Sequence, residues 1–283
     1  MNARTHLRVL AAALCLPLFV IAPNPARAQT FTMYGAEFTF NGHFYNVNVA
    51  NASLTTITAN SGGCYLGMDS EPATGTLWAS CGSFLYTVDP ATGRPLTTRS
   101  INGSSDIFNI SFAPDGTLYG LGNNNGNLYI VDTATATARF IGTSAQSIFG
   151  LEFGPGGVLY GCGFDLYQIN PSNGSATDLG RLETGSSALL TDLDFAPDGV
   201  MYGVTSQITS DSLYRLDLPT ATAALIGVTG GDLRSIASVP EPSSLALLAL
   251  GSLLVLCYRR IATLRKAAQV RPPPEAIARS SVD

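Results

Sequence analysis

Short runs of alternating hydrophobic and polar positions recur along the middle of the chain. The clearest are TMYG from Thr32, TLWA from Thr76, TLYG from Thr117, VLYG from Val158 and VMYG from Val200, spaced 44, 41, 41 and 42 residues apart. Each is followed by a second alternating run (HFYNVN, FLYTVD, NLYIVD, DLYQIN or SLYRLD) and then by a turn such as Asp89-Pro90-Ala91-Thr92-Gly93. A further run ends in Ile141-Gly142, Leu179-Gly180 or Ile226-Gly227. Ahead of the -YG run stand IFNISF, IFGLEF and LLTDLDF, joined to it by turns such as Ala113-Pro114-Asp115-Gly116 and Ala196-Pro197-Asp198-Gly199. Alternation with period two marks half-buried strands. In the turns, Pro presets φ, Asp bonds its own backbone and Gly takes the positive φ that other residues avoid. Four short strands in a unit of about 42 residues describe the blade of a β-propeller; helical repeats would show a 3.6-residue pattern instead.

The stretch from Gln29 to Val239 accommodates five such units, so the predicted fold class is all-β, a five-bladed propeller. Its first unit lacks an inner strand, because the -YG run begins at Thr32. Leu233-Arg234-Ser235-Ile236-Ala237-Ser238 carries the inner-strand pattern, with Ile236 standing 43 residues after Leu193. This C-terminal segment is expected to pair into blade one and close the ring. Closure removes the free sheet edges that would otherwise recruit other chains. The F-x-P-D-G-x-L-Y-G rhythm resembles propellers of the NHL, WD and gluconolactonase-like types, a likeness of architecture that leaves activity open.

Both ends depart from this pattern. Arg4 and Arg8 precede an apolar run from Val9 to Ala22, and Ala26-Arg27-Ala28 follows. That order is a secretory signal peptide, residues 1–28. At the other end Ser243 to Tyr258 is apolar and would span about 24 Å as a helix, a single C-terminal transmembrane helix followed by Arg259, Arg260 and further basic residues. The basic excess places the tail, residues 261–283, in the cytoplasm. Pro272-Pro273-Pro274 and the polar composition predict that this tail is disordered.

Between the last strand and that helix stands Pro240-Glu241-Pro242. The triplet, the apolar span and the pair Arg259-Arg260, in that order behind a signal peptide, resemble the PEP-CTERM sorting signal over residues 240–260. The resemblance implies export by the Sec route, with the chain held in the inner membrane and the propeller outside. It implies a transient partner, exosortase, which cuts near the motif and releases the protein to the cell surface or beyond. Members of the family end close to the basic cluster, whereas residues 261–283 continue here.

Composition agrees with an exported, turn-rich β protein: 46% hydrophobic, 12% charged, 29 Gly and 16 Pro. Between Gln29 and Val239 there are six arginines, no lysine and seventeen acidic residues, a net charge of −11. Such a surface cannot supply the cationic contacts that nucleic acids need, so nucleic-acid binding is excluded. Pairing Ser70 with Thr76 across the Glu71–Gly75 turn brings Cys64 opposite Gly82, one position from Cys81, so a cross-strand disulfide is expected. Two separate buried thiols are the alternative, and Cys162 is left over as a small buried hydrophobe. His43 is the only histidine of the ectodomain; its place after an Asn-Gly turn reads as an exposed strand start, with no catalytic role.

Inner strands carry small or polar residues at alternate positions. Asp69, Ser111, Glu152, Asp194 and Ala237 share one repeat position; Gly67, Asn109, Gly150, Asp192 and Ser235 share the other. Innermost strands line a propeller's channel, so the carboxylates Asp69, Glu152, Asp192 and Asp194 would gather there. Two readings stay open: ordinary polarity of a hydrated channel, with no cofactor, or a site for Ca²⁺ or another hard cation, which wants several oxygens. The function expected is that of an exported, exosortase-processed surface or matrix propeller without catalytic activity. It would bind a ligand or partner through its blade loops, with exopolysaccharide or a surface protein implied by the sorting resemblance and a link to biofilm. The alternative is a secreted metal-dependent hydrolase or lactonase using the channel carboxylates.

Overall fold

The computed structural model describes residues 30–104, 106–123, 126–182, 184, 189–205 and 211–241. Blade one takes β1 (Phe31–Ala36), β2 (Phe44–Val47) and β3 (Leu54–Thr58). Blade two is β4 (Gly67–Ser70), β5 (Leu77–Cys81), β6 (Phe84–Asp89) and β7 (Arg94–Ser100). Blade three is β8 (Ile107–Phe112), β9 (Leu118–Gly122), β10 (Asn127–Asp132) and β11 (Thr137–Thr143). Blade four is β12 (Gly150–Phe153), β13 (Leu159–Cys162), β14 (Asp165–Ile169) and β15 (Ala176–Arg181). Blade five is β16 (Leu190–Phe195), β17 (Met201–Thr205), β18 (Ser212–Asp217) and β19 (Thr222–Val228). The last strand, β20 (Ser235–Pro240), crosses back to become the inner strand of blade one, in the order β20-β1-β2-β3.

The five-bladed, all-β architecture and its closure by the C-terminal strand are therefore present. The closing strand lies two residues later than the sequence pattern places it. Leu233 stands before the strand, its N–H donated to Asp211 Oδ2 at 2.6 Å and its side chain fully buried. Pairing then runs from Ala36↔Ser235 to Phe31↔Pro240. Pro is tolerated there because it sits at the strand's end and needs to donate no ladder bond. The signal peptide, the apolar helix predicted over 243–258 and the tail over 261–283 lie outside the described residues.

Apolar side chains gather in five clusters, one at each seam between blades. The seam that closes the ring joins Met33 and Val47 of blade one to Tyr202, Val204 and Leu213 of blade five, with Leu233 and Ile236 between them. This packing explains the glycine of the -YG run. A Cβ on Gly35 would overlap Leu233, and one on Gly203 would overlap Leu190. Gly120 and Gly161 face Ile107 and Ile148 in the same way, so in these four blades a larger side chain would force the seam apart, whereas blade two accommodates Ala79 there. Each blade also carries a register shift in the pairing of its two outermost strands. Such bulges twist an exposed edge away from regular pairing and blunt it against aggregation.

Candidate functional site

The inner-strand polar residues form a repeated inter-blade clamp. In blade after blade a side chain accepts the backbone N–H of the next inner strand, one repeat further along the chain. Asp69 Oδ2 accepts from Phe112 N–H at 2.6 Å, Ser111 Oγ from Phe153 N–H at 2.9 Å, Glu152 Oε1 from Phe195 N–H at 3.3 Å and Asp194 Oδ1 from Ser238 N–H at 2.7 Å. Ala237 holds the fifth position and cannot accept; there Ser70 Oγ donates to Ser238 C=O at 2.8 Å instead. Inner strands of different blades do not form a continuous sheet, so their inward N–H groups need partners of this kind.

A second clamp lies one step earlier in the same strands. Asn109 Oδ1 accepts from Leu151 N–H at 3.1 Å, and its Nδ2 donates to Asp192 Oδ1 at 2.6 Å. Asp192 Oδ1 also takes Leu193 N–H at 3.0 Å, while Oδ2 takes Ile236 N–H of the closing strand at 2.9 Å. Asp192 thus ties blades three and five to the strand that closes the ring. Among the four carboxylates expected in the channel, it is the one spent entirely on the frame. It does not line the funnel described next.

Asp69, Glu152 and Asp194 come together around a cavity of about 620 Å³ at the ends of the inner strands. Next along the strands the lining is Phe112, Phe153 and Phe195, the first two largely buried in the seams with their rings edge-on to Trp78 and Tyr119, and Ser70 and Ser238 take the two equivalent positions. Higher still is a ring of prolines, one per blade: Pro72, Pro114, Pro155, Pro197 and Pro240. The site is a funnel with an acidic floor, an aromatic wall and a proline rim. Among the described residues no basic side chain lines it. Arg234 belongs to the opposite mouth of the channel, near Phe108, Phe149 and Thr191.

Burial dominates the electrostatics of the floor. It raises the Asp69 carboxyl to about 8, with the neighbouring Asp194 charge adding to the rise and the Phe112 N–H opposing it. Asp194 is raised by burial to about 6, against the pull of its bond from Ser238. Glu152 is raised well above the ordinary carboxyl range, first by burial and then by repulsion from Asp69 and Asp194. Like charges that share a low-dielectric site hold protons in this way. Asp194 Oδ2 is buried and has no hydrogen-bond partner among the described residues. In the same set of residues, no three His, Cys, Asp or Glu side chains gather closely enough to hold a metal ion together.

Cys64 and Cys81 are joined by a disulfide with a Cα–Cα distance of 5.7 Å. The register that brings them together differs from the sequence expectation. Ser70 pairs with Leu77, not Thr76, because Glu71 N–H bonds Thr76 C=O and the turn proper is the four residues from Pro72 to Gly75. Past Gly67 the ladder slips, Leu66 N–H bonding Ser80 C=O, which restores Cys64 to the reach of Cys81. Cys162 is buried and free, with its thiol toward Leu190 C=O at 3.7 Å. His43 stands immediately before β2, Nδ1 2.8 Å from Glu37 Oε2 and its ring stacked on Tyr45. Tyr45 O–H donates to Glu37 Oε1 at 2.6 Å. Burial alone would raise Glu37, but the His43 N–H and the Tyr45 hydroxyl hold it below its ordinary value.

Of the predicted sorting residues, Pro240 ends β20 on the funnel rim, paired with Phe31. Glu241 N–H bonds Thr30 C=O at 2.9 Å, and its carboxylate accepts from the Thr32 hydroxyl at 3.3 Å. Pro242, Arg259 and Arg260 lie outside the described residues. The aromatic wall and proline rim are the features that sequence reasoning missed. Their signal was present as Phe112-Ala113-Pro114, Phe153-Gly154-Pro155 and Phe195-Ala196-Pro197, with Ser70-Glu71-Pro72 and Ser238-Val239-Pro240 in register. Read as turn chemistry alone, these triplets conceal that the first residue faces the channel.

No curated protein matches the chain. Similar solved structures include a protein described under "The de novo evolutionary emergence of a symmetrical protein is shaped by folding constraints", 18% identical over 75% of this chain and 100% of that one, TM-score 0.53. Hydrazine synthase of Kuenenia stuttgartiensis is 15% identical over 56% of this chain, TM-score 0.40, and this chain spans only 47% of its length. Glutaminyl cyclase of Myxococcus xanthus is 20% identical over 59% of this chain and 70% of that one, TM-score 0.45. Only the first of these exceeds a TM-score of 0.5, and at 18% identity its likeness is one of fold alone. Residues 238–261 match the PEP-CTERM protein-sorting motif. The chain is a five-bladed β-propeller carrying a PEP-CTERM sorting motif, which marks it as an exosortase-sorted, exported protein of the cell surface.

Proposed function

We propose that the protein is a surface-displayed binding module without catalytic activity, whose ligand enters the funnel at the rim from which the sorting segment departs. One observation carries this reading: the channel carboxylates are committed to backbone N–H groups of neighbouring blades, while an open cavity with an aromatic wall remains above them. A metal-dependent hydrolase or lactonase would need those carboxylates free to converge on one ion. Each of them holds a strand instead. A cavity of about 620 Å³ has the size of a small-molecule site, and exopolysaccharide or a surface protein could present such a group to it.

In this reading the inner membrane holds the precursor until exosortase cuts beyond Glu241, and the propeller then reaches the cell surface or the surrounding matrix. Pro240 is both the last residue of the closing strand and the first of the sorting triplet. The test is fractionation of cells that produce the parent or the Pro240→Ala, Glu241→Ala, Pro242→Ala triple variant, with antibodies to each end of the chain. The parent is expected at the surface, trimmed. The variant is expected to stay in the inner membrane at full length, still carrying Arg259 and Arg260. Equal trimming and release of both proteins would overturn the sorting role.

A further inference from the structure

The floor of the funnel holds an acceptor that no described residue satisfies. Asp194 is 3% exposed, its Oδ1 is used by Ser238 N–H, and its Oδ2 has no partner among the described residues. A buried acceptor left empty is costly, so the position favours any ligand that brings a donor. Asp69 and Glu152 flank it with both oxygens engaged: Asp69 accepts from Ser70 and Phe112 N–H, and Glu152 from Phe195 N–H and the Ser111 hydroxyl, so they contribute field more than open acceptor sites. Phe112, Phe153 and Phe195 line the cavity beside them, and no basic side chain among the described residues does.

Chemistry narrows the ligand. An anion would meet a buried acidic floor and raise its carboxyl groups further. A bare metal ion would need several oxygens at about 2.3–2.6 Å, and no three ligating side chains converge that closely among the described residues. A neutral hydroxyl could satisfy Asp194 Oδ2 but brings no positive charge to favour ionisation of carboxyls that burial and mutual repulsion otherwise keep protonated. A protonated amine brings three donors and a compensating charge. Its CH-rich stem can lie against ring faces, which themselves attract a cation.

We propose that the funnel binds small molecules bearing a protonated primary amine on a CH-rich body, an alkylamine or an amino sugar. The amine sits on Asp194 Oδ2 between Asp69 and Glu152, and the body lies against Phe112, Phe153 and Phe195. This assignment rests on the funnel being a binding site, as proposed above, and names the ligand's chemistry.

A pH dependence follows. The groups facing the amine are Asp69 from β4, Glu152 from β12 and Asp194 from β16; β8 and β20 present Ser111 and Ala237 at the same level. Asp198 follows in the turn after β16 and adds to the field at Asp194. Asp192 lies one step deeper on β16, and Arg234 is at the far mouth. A cation favours the ionised floor, and protonation competes with it. With Asp194 raised to about 6, that group alone weakens binding about tenfold between pH 8.5 and pH 5.

Titration calorimetry on the mature protein decides the matter, with n-butylamine and glucosamine set against butan-1-ol and glucose. n-Butylamine, protonated throughout, is expected to bind at pH 8.5 and about tenfold more weakly at pH 5; glucosamine, whose less basic amine is largely neutral at pH 8.5, is compared with glucose at pH 7, and the neutral isosteres are expected not to bind at all. Whichever amine binds more tightly identifies the source. Asp194→Asn keeps an oxygen for Ser238 N–H and should weaken amine binding at least about tenfold, with circular dichroism verifying the fold. The comparison within the parent does not depend on that variant folding. Glucose binding as well as glucosamine would overturn the amine assignment and leave the funnel as a binding site. CaCl₂ binding while amines do not would also overturn it, in favour of a metal. A funnel that takes none of these probes would overturn it too, whereas loss of the wider binding reading would need a failure to take any glycan or surface component.

Discussion

Replacing Asp192 by Ala removes a fully buried carboxylate that holds three donors at once. Asn109 Nδ2 and Ile236 N–H reach it from other strands, at 2.6 and 2.9 Å, and Leu193 N–H from its own. A buried donor stripped of its acceptor costs about 1–3 kcal/mol, so the gross loss is several kcal/mol. One effect opposes it. Burial raises the Asp192 carboxyl well above its ordinary range, ahead of the three hydrogen bonds that pull it down, so the native state carries a desolvation cost that Ala would relieve. That relief is bounded, because the group can take a proton instead of remaining charged. The stranded donors therefore win, with a net loss of about 3 kcal/mol. For a domain of this size that lowers Tm by roughly 6–12 °C. Thermal unfolding followed by circular dichroism, with urea titration for the free energy, measures it on the mature protein. An Asp192→Ala protein that melts at or above the parent would refute the reasoning. The inner carboxylates would then be a net burden on the fold, and a role other than clamping would have to account for Asp192.

Three further predictions follow from the same frame. Asp69 and Asp194 are raised to about 8 and about 6, so the native state binds protons that the unfolded chain has released; stability is full below the unfolded carboxyl range and falls as pH rises through these values. Tm should accordingly be higher at pH 5 than at pH 8.5, and a flat or inverted profile would contradict the raised values. Breaking the Cys64–Cys81 bond, whose partners are 17 residues apart, should cost about 3 kcal/mol in the chain-entropy model; thiol labelling of both residues without reductant would show that no bond forms. Gly203→Ala should destabilise by about 1–3 kcal/mol, because the new Cβ overlaps Leu190 in the seam between blades; a Tm within a degree of the parent would show that the seam yields.

Much of the fold is legible in the sequence because its determinants are local. Pro114-Asp115-Gly116 and Pro197-Asp198-Gly199 encode their turns by backbone preference, and Gly116 and Gly199 do adopt positive φ. The identity of the closing strand is legible because Ile236 occupies the position that Leu193 occupies in blade five, and both are buried. Its start is less so, since Leu233 satisfies the inner-strand pattern while packing under Gly35 before pairing begins. The hairpin between β4 and β5 misleads for a similar reason: Thr76 ends the turn by accepting from Glu71, a choice that no propensity reveals. At the candidate site the carboxylates are legible as a set, but their division is not. Asp192 and Asp194 sit two residues apart on one strand, yet one is consumed by Asn109 and Ile236 away from the funnel while the other lines it and keeps an oxygen without a partner among the described residues. That difference depends on which neighbour's N–H falls within reach, a property of how five blades meet.

Ring closure and sorting share one strand in this molecule. Pro240 pairs with Phe31 and Glu241 N–H holds Thr30 C=O, so a cut before Ser235 would remove the inner strand of blade one. Intact-mass spectrometry of the protein recovered from the cell surface or medium tests this most directly. The account predicts an N-terminus at Gln29 and a C-terminus after Glu241 but before Arg259, with β20 retained. A released protein that still ends at Asp283, or one trimmed upstream of Ser235, would contradict it.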